Sequence, residues 1–559
     1  MSSIWEIAES RARSDSEEDD GLFSPVTHKL LALKSITSSA EIEKFLYPQL
    51  ENLHDSYLIK GMKEAVRRIL VAIDQKQLIM IHGDYDVDGV TGTALLARAF
   101  KKLNAKFIPF LPDRAKHGYG VSKQAIDFAK SKNVSLLVTV DCGITAIEEV
   151  SLANEYGIQT IIVDHHQIHG GKLPEAFCIL NPLQEGCAYP FKELSACGLA
   201  FKLAQALIGN FAFSLLDLAA LSSVCDVAPL VDENRIIVKH GLDLLSGRKN
   251  VGLSKLSSVA KLKARKINTG HIGFMLGPRI NACGRMSSAD TAFQLLTTDQ
   301  ESEAERLALA LDDENKARQR EERDVLKQAI AKVEREINFN RDQVIVVWSE
   351  GWHQGVIGIV AQRLVDKFGR PSVVIALENK KGKGSGRSVK GFHLFKAFED
   401  AQDFLVEFGG HELAAGLSID ESQLEFFRSR INQFAAAVSR EVFVKRFKVD
   451  LEVPFSELTP SFFRELEMFE PFGAGNPKPV FLTRNIETKI NPVQATPTML
   501  RWWVTDGVST FEAVWNQRQG IERNPPDIGT SYEMIYSPSR KEKDGIETVL
   551  LEVKDVRIE

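Results

Sequence analysis

A chain of 559 residues is too long for a single hydrophobic core, so about three or four domains are expected; 44% hydrophobic and 26% charged residues belong to an ordinary globular protein. No apolar run reaches the roughly 20 residues that span a bilayer, and Met1 to Asp20 is too polar and acidic for a secretory or transit peptide, so the expected location is the cytoplasm, without a membrane. The net charge of −6 argues against a uniformly basic surface, though not against local patches or metal-neutralised acidic clusters, and six cysteines without CxxC spacing read as reduced thiols.

Residues 1–50 carry little pattern. From Gln77 to Val227, short apolar runs alternate with amphipathic segments: Leu78 to Ile81, Phe107 to Leu111, Leu136 to Val140 and Thr160 to Val163 predict strands buried on both faces, hence a parallel α/β sheet. Thr93 to Leu103 and Thr145 to Tyr156 predict intervening helices, so ligands should gather at the strand carboxyl ends. Phe191 to Thr298 reads as mainly helical, interrupted by the glycine-bearing stretch Gly277 to Arg285. Asp299 to Asn338, rich in Glu, Arg and Ala, predicts one or two long, largely exposed connecting helices. A second α/β lobe starts at Gln343 to Trp348, continues through a helix over Gly355 to Phe368 and returns with a strand at Ser372 to Leu377. Alternating patterns between Arg446 and Glu559 suggest a small β-barrel, in which Trp502, Trp503 and Trp515 are expected mainly in the core.

The densest chemistry follows the first buried strand, at His82-Gly83-Asp84-Tyr85-Asp86-Val87-Asp88-Gly89. Carboxylates packed this closely are costly to bury without a cation, and in an extended segment Asp84, Asp86 and Asp88 would share one side. Two further strand ends carry Asp141 and the run Asp164-His165-His166. Asp after a strand is often only a helix cap, but several Asp- and His-bearing ends on one sheet converge on one crevice. That mixed donor set suits two Mn²⁺ ions, with Mg²⁺ as a substitute, and phosphoester hydrolysis with one strand-end carboxylate as a bridge.

These motifs resemble, in order and spacing, the successive metal motifs of the DHH phosphoesterase superfamily. The resemblance implies His82, Asp86, Asp88, Asp141, His165 and Asp226 as metal ligands, with Asp141 as the bridge, His166 orienting the scissile phosphate and Asp84 close behind the cluster. Gly384 to Ser388 and Gly409 to Gly416 are similar to the glycine-rich substrate motifs of the DHH-associated domain, where glycines admit phosphate to the backbone and Arg387 and His411 add charge and hydrogen bonds. Leu111 to Arg114, His117 to Gly120, Gly277 to Met286 and Pro471 to Pro477 look like elements of the RecJ family within that superfamily.

That likeness implies an α/β fold: a DHH domain with a parallel sheet and helical part (51–298), a connecting helix (299–338), a DHH-associated domain (339–440) and an OB-like barrel (441–559), after an N-terminal extension (1–50). It implies a 5′→3′ exonuclease releasing mononucleotides from single-stranded DNA in repair and recombination. Arg114, Ser385 and Arg387 would hold the 5′ phosphate, Arg279 the incoming backbone, and Tyr119 would stack on a base. Single-strand-binding protein and a helicase are the implied partners, and a monomer suits strand threading. The alternatives are a DHH phosphodiesterase for oligoribonucleotides or cyclic dinucleotides, and a silent replication scaffold; the barrel and the intact ligand set weigh against them.

Overall fold

Strands buried on both faces need apolar residues on alternate sides and helices to cover them, and the chain provides both. The computed structural model describes residues 3–8, 23–113, 118, 120–168, 170–286, 288–496, 498–516, 525–543 and 546–558. It divides into two units: Ser39–Ala317 with Phe469–Pro477, and Met1–Ser38 with Arg318–Met468 and Lys478–Glu559.

The first unit holds a five-stranded sheet of β1 (Leu78–Gly83), β2 (Phe107–Phe110), β3 (Val134–Val140), β4 (Gln159–Val163) and β5 (Cys178–Leu180). Its order is β2-β1-β3-β4-β5 and every pairing is parallel. Helices α1 (Met62–Asp74), α2 (Val87–Lys102), α3 (Lys123–Ser131) and α4 (Ile147–Glu155) belong to this part, and α5 (Ala196–Ile208), α6 (Leu216–Cys225) and α7 (Gly277–Met286) follow it. Ile79, Ile81, Leu136 and Val138 pack into the core shared with α1, α2 and α5, whereas Met80, Leu137 and Ile162 join that of α3 and α4. The two-residue period of the strands thus feeds two cores. Leaving β1 the chain first adds β2 on one side, then crosses to place β3 on the other. This reversal opens a crevice beyond the carboxyl ends of β1 and β3.

Two expectations are corrected here. The stretch Ala196–Cys225 is apolar and long enough to cross a membrane by length and composition, contrary to the expectation that no such run exists; 56% of its most apolar window is buried inside the protein. Gly277 to Arg285 does not interrupt the helical region but is itself helical, as α7. Its glycines serve packing: a Cβ at Gly277 would lie 2.4 Å from Cys225 Sγ, and one at Gly284 the same distance from the Tyr85 carbonyl oxygen.

Helix α8 (Glu301–Glu336) is one continuous helix of 36 residues, about 54 Å long, that begins in the first unit and continues into the second. The second unit contains β6 (Ile345–Glu350), β7 (Ser372–Glu378), β8 (Lys381–Arg387), β9 (Glu407–Gly410) and β10 (Ala414–Asp420), ordered β9-β10-β8-β7-β6, with α9 (Ile357–Phe368) between β6 and β7. The glycine-rich motif at Gly384 is strand, not loop: Gly382, Gly384 and Gly386 alternate on a buried face, where a Cβ would come within 3 Å of Ile375, Leu417 or Leu394.

The barrel comprises β11 (Leu451–Glu452), β12 (Phe481–Thr496), β13 (Met499–Thr505), β14 (Thr510–Asn516), β15 (Ser531–Lys543) and β16 (Ile546–Ile558). The pairing of β12 with β15 closes five of these strands, and β11 is added to β12. Ile4–Ile7 pairs in parallel with Arg446–Val449, so the N-terminal residues are tied to this unit. Trp502 and Trp515 are buried as expected, but Trp503 is 42% exposed.

Candidate metal centre

The loop after β1 does not stay extended. Asp86 is the N-cap of α2, accepting from the backbone N–H of Asp88 at 2.8 Å and of Gly89 at 3.2 Å. Asp88 therefore lies in the first helical turn, so the extended segment expected for Asp84, Asp86 and Asp88 is corrected, although all three carboxylates act on Asp141. Gly89 permits this turn, because a Cβ there would lie 2.3 Å from the backbone nitrogen of Asp84. Asp84 and Asp86 group with Asp141, while Asp88 groups with His165 and Asp226.

Asp88 is held from the opposite side. Its carboxylate accepts from the N–H groups of Ala196 at 2.8 Å and Cys197 at 2.7 Å, at the start of α5, and from Ser222 Oγ at 2.6 Å. A helix N-terminus is a natural anion seat. Nothing in the sequence signals these partners, since they lie more than a hundred positions away.

Asp141 follows β3 with φ of 65°, a left-handed conformation that non-glycine residues keep only where surrounding structure enforces it. Its Oδ1 lies 3.3 Å from His165 Nε2 and 3.9 Å from His166 Nδ1. His165 also stands 3.8 Å from both Asp88 Oδ2 and Asp226 Oδ2, and so joins the two carboxylate groups. Asp164 is tied into the surrounding protein: its Oδ2 accepts from Ile144 N–H at 2.9 Å, and its Oδ1 lies 2.7 Å from His166 Nδ1. His82 lies outside the three groupings found among the described residues. Its ring stacks on Phe110, with Nδ1 3.5 Å from Cys142 Sγ.

The charges oppose one another. Burial first, then Asp88, Asp86, Asp84 and Asp164, hold the Asp141 carboxyl well above its usual range. Asp86 is raised by burial and by Asp88, and Asp226 is pushed up to about 8 by burial and then by Asp88 and Asp86. His166 is raised by its hydrogen bond with Asp164. Carboxylates buried this close stay ionised only with cations among them, and the mixed oxygen and imidazole donors fit divalent ions of the Mn²⁺ and Mg²⁺ type.

The remaining substrate candidates are scattered. Arg114 and Tyr119 lie outside the described residues. In the first unit Arg279 is committed to Asp312, at 2.8 and 2.9 Å, and to the Met275 carbonyl oxygen at 2.6 Å. In the second unit Arg387 donates to Ser385 Oγ at 3.1 Å and to the Gly386 carbonyl at 2.8 Å. Gly358, in the first turn of α9, faces this pair: a Cβ there would lie 3.0 Å from Ser385 Oγ and 3.1 Å from Arg387 Nη2. The cradle is open because Gly358 has no side chain, a role sequence reading missed. His411 is exposed in the turn between β9 and β10.

Three family domains match the chain: the DHH family N-terminal domain over residues 78–222, the DHHA1 domain over 341–437 and the RecJ OB domain over 449–555. The single-stranded-DNA-specific exonuclease RecJ of Bacillus subtilis is 39% identical, aligned over 91% of this chain; the chain spans 65% of that relative's length. The Escherichia coli protein of the same name is 33% identical over 82% of this chain and 83% of its own. The crystal structure of RecJ from Thermus thermophilus in complex with Mn²⁺ superposes with a TM-score of 0.82 at 28% identity, covering 99% of this chain and 79% of that one. A structure of RecJ from the same organism with Mg²⁺ gives 0.76, at 26% identity over 99% and 78% of the two chains. With three domains matched in order and a third of the residues shared with relatives of comparable extent, this chain belongs to the RecJ family.

Proposed function

We propose that this protein is a metal-dependent exonuclease that degrades single-stranded DNA from its 5′ end to mononucleotides, in DNA repair and recombination. The observation that carries the reading is the convergence of Asp84, Asp86, Asp88, Asp141, His165, His166 and Asp226 on one crevice, in a member of this family. His82, Asp86, Asp88, Asp141, His165 and Asp226 would hold two ions, Mn²⁺ by preference and Mg²⁺ as a substitute, with Asp141 between them. Bound there, such a pair supplies an activated water and stabilises charge developing on the phosphate.

The chain's own groups do the rest. Asp164 orients His166 and favours its protonated form, so that its ring would face a scissile phosphate. Asp84, grouped with Asp86 and Asp141 rather than behind them, adds to the negative potential of the cluster. Ser385, Arg387 and the open space at Gly358 receive the 5′ phosphate, with Arg114 and His411 as further contacts. Arg279, preset by Asp312, meets the strand backbone, and Tyr119 stacks on a base. We further propose that the enzyme works in the cytoplasm as a monomer, alongside single-strand-binding protein and a helicase; the family of DNA exonucleases to which it belongs favours that setting.

The test is digestion of 3′-labelled single-stranded DNA with Mn²⁺, beside a blunt duplex, an RNA strand and the Asp141→Ala variant. Progressive shortening from the 5′ end with the duplex spared, and loss of activity in a folded Asp141→Ala protein, are expected. Intact DNA beside degraded short RNA would replace this reading with an oligoribonuclease.

A further inference from the structure

A cavity in the first unit, away from the metal centre, combines cationic and apolar surface in a way the exonuclease reading leaves unused. It measures about 400 Å³ and adjoins the C-terminal end of α2. The helix rises about 20 Å between Asp88 and Lys101, so the cavity is separate from the carboxylate cluster. Lys101, Lys102 and Lys249 stand exposed around it with Arg98 beside them, against only the carboxylates of Asp217 and Asp299. Asp299 is already shared, 3.3 Å from Arg98 Nη1 and 2.8 Å from Lys101 Nζ. Phe211 presents a ring that is 45% exposed, with Lys102 Nζ 4.5 Å from its centroid, and Leu215 and Leu244 add apolar lining.

Lysines in the last turn of a helix often do no more than complement its dipole. Here that explanation covers Lys101 and Lys102 but not Lys249, which follows the helix Asp232–Ser246, nor Phe211, which lies in the 3₁₀ segment Gly209–Leu215. Three separate elements bring cations and an aromatic ring to one cavity in a chain of net charge −6. A bare inorganic anion would leave the apolar lining unused, and an apolar ligand would leave the cations unmatched.

We propose that this cavity binds a nucleotide unit, its base laid against Phe211, Leu215 and Leu244 and its phosphate held by Lys101, Lys102 and Lys249. Base stacking on an exposed aromatic ring and charge-assisted bonds to phosphate are the two interactions it is built to make. Asp217, on the wall, adds a group for the base edge: it is buried, its Oδ1 accepts from Leu218 N–H at 2.8 Å, and burial pushes its carboxyl up to about 6. The site does not depend on the metal centre.

Equilibrium dialysis of the full chain against radiolabelled deoxyadenosine 5′-monophosphate in EDTA tests this apart from catalysis, because metal-held phosphate is then absent. Saturable binding is expected, weakened about tenfold by the double variant Lys102→Glu/Lys249→Glu, the loss of roughly one charge-assisted contact. Phe211→Ala should also weaken it, Asp141→Ala should leave it unchanged, and inorganic phosphate should compete poorly. Competition by an oligodeoxythymidine without a 5′ phosphate would assign the nucleotide to a bound strand; failure to compete would assign it to a free mononucleotide. Absence of saturable binding, indifference to both the charge reversal and Phe211→Ala, or displacement by an equal concentration of inorganic phosphate would overturn the proposal. Should the charge-reversed protein not fold, Phe211→Ala, which alters an exposed ring, decides the question.

Discussion

Asp164 and His166 stand two positions apart in the sequence, yet their duties differ. The Asp164 carboxylate faces His166 and the Ile144 N–H; burial pushes it up, but these bonds outweigh burial and leave it below the usual carboxylate range. Replacing it by Asn removes the acceptor that holds His166 above its usual pKa. Asp164→Asn should therefore lower the His166 titration midpoint, followed by NMR of the metal-free protein, and an unmoved midpoint would show that His166 is set by other groups. Arg387 offers a parallel test in the second unit. Burial lowers its pKa without discharging it, and it shares the Gly358 cradle with Ser385. Arg387→Ala should reduce the preference for 5′-phosphorylated over 5′-hydroxyl strands about tenfold or more, measured as the ratio of initial rates.

At the scale of elements, α5 supplies two backbone N–H groups and α6 one hydroxyl to fix Asp88, so two apolar core helices also position the carboxylate cluster. The barrel separates packing from exposure within one dipeptide. Trp502 is 1% exposed and donates from Nε1 to Tyr532 Oη at 3.2 Å, whereas Trp503 points outward opposite Ile490. Trp502→Ala should destabilise the barrel by about 3–5 kcal/mol, and Trp503→Ala should change it by no more than about 0.5 kcal/mol. Hydrogen exchange across β12–β16 in the full chain reads both, and equal losses of protection would mean that both rings pack into the core.

For the whole molecule, the carboxylate cluster ties stability to pH and to metal. Asp226, Asp141 and Asp86 all have raised folded-state pKa values, Asp226 at about 8. An unfolded chain ionises them near 4. Between these limits the metal-free native state binds more protons than the unfolded state, so its stability falls as pH rises from about 4 towards 8. Metal-free protein should melt several degrees lower at pH 8 than at pH 5, and Asp226→Asn should flatten that slope. Adding Mn²⁺ should raise the melting temperature more at pH 8, where deprotonated ligands cost less to supply. A metal-free melting temperature independent of pH would mean that the cluster does not bear on stability.

Local order and local chemistry were legible in the chain itself. The parallel strands follow from continuous apolar runs between helices, and the acidic and histidine motifs announce themselves at strand ends, because both signals lie within a few residues. A long helical connection over Asp299 to Asn338 was likewise readable from composition, but that it is one helix, Glu301–Glu336, was decided by the fold. Folding decided what depends on distant partners. It set Asp88 in a helical turn held by distant donors, because helix α2 starts at Val87 and the N-terminus of α5 offers N–H groups. It made Gly277 to Met286 a helix, because the missing Cβ atoms are needed against Cys225 and Tyr85 rather than for a turn. It also exposed Trp503 while burying Trp502, since adjacent residues of a barrel strand face opposite sides and only register decides which faces in.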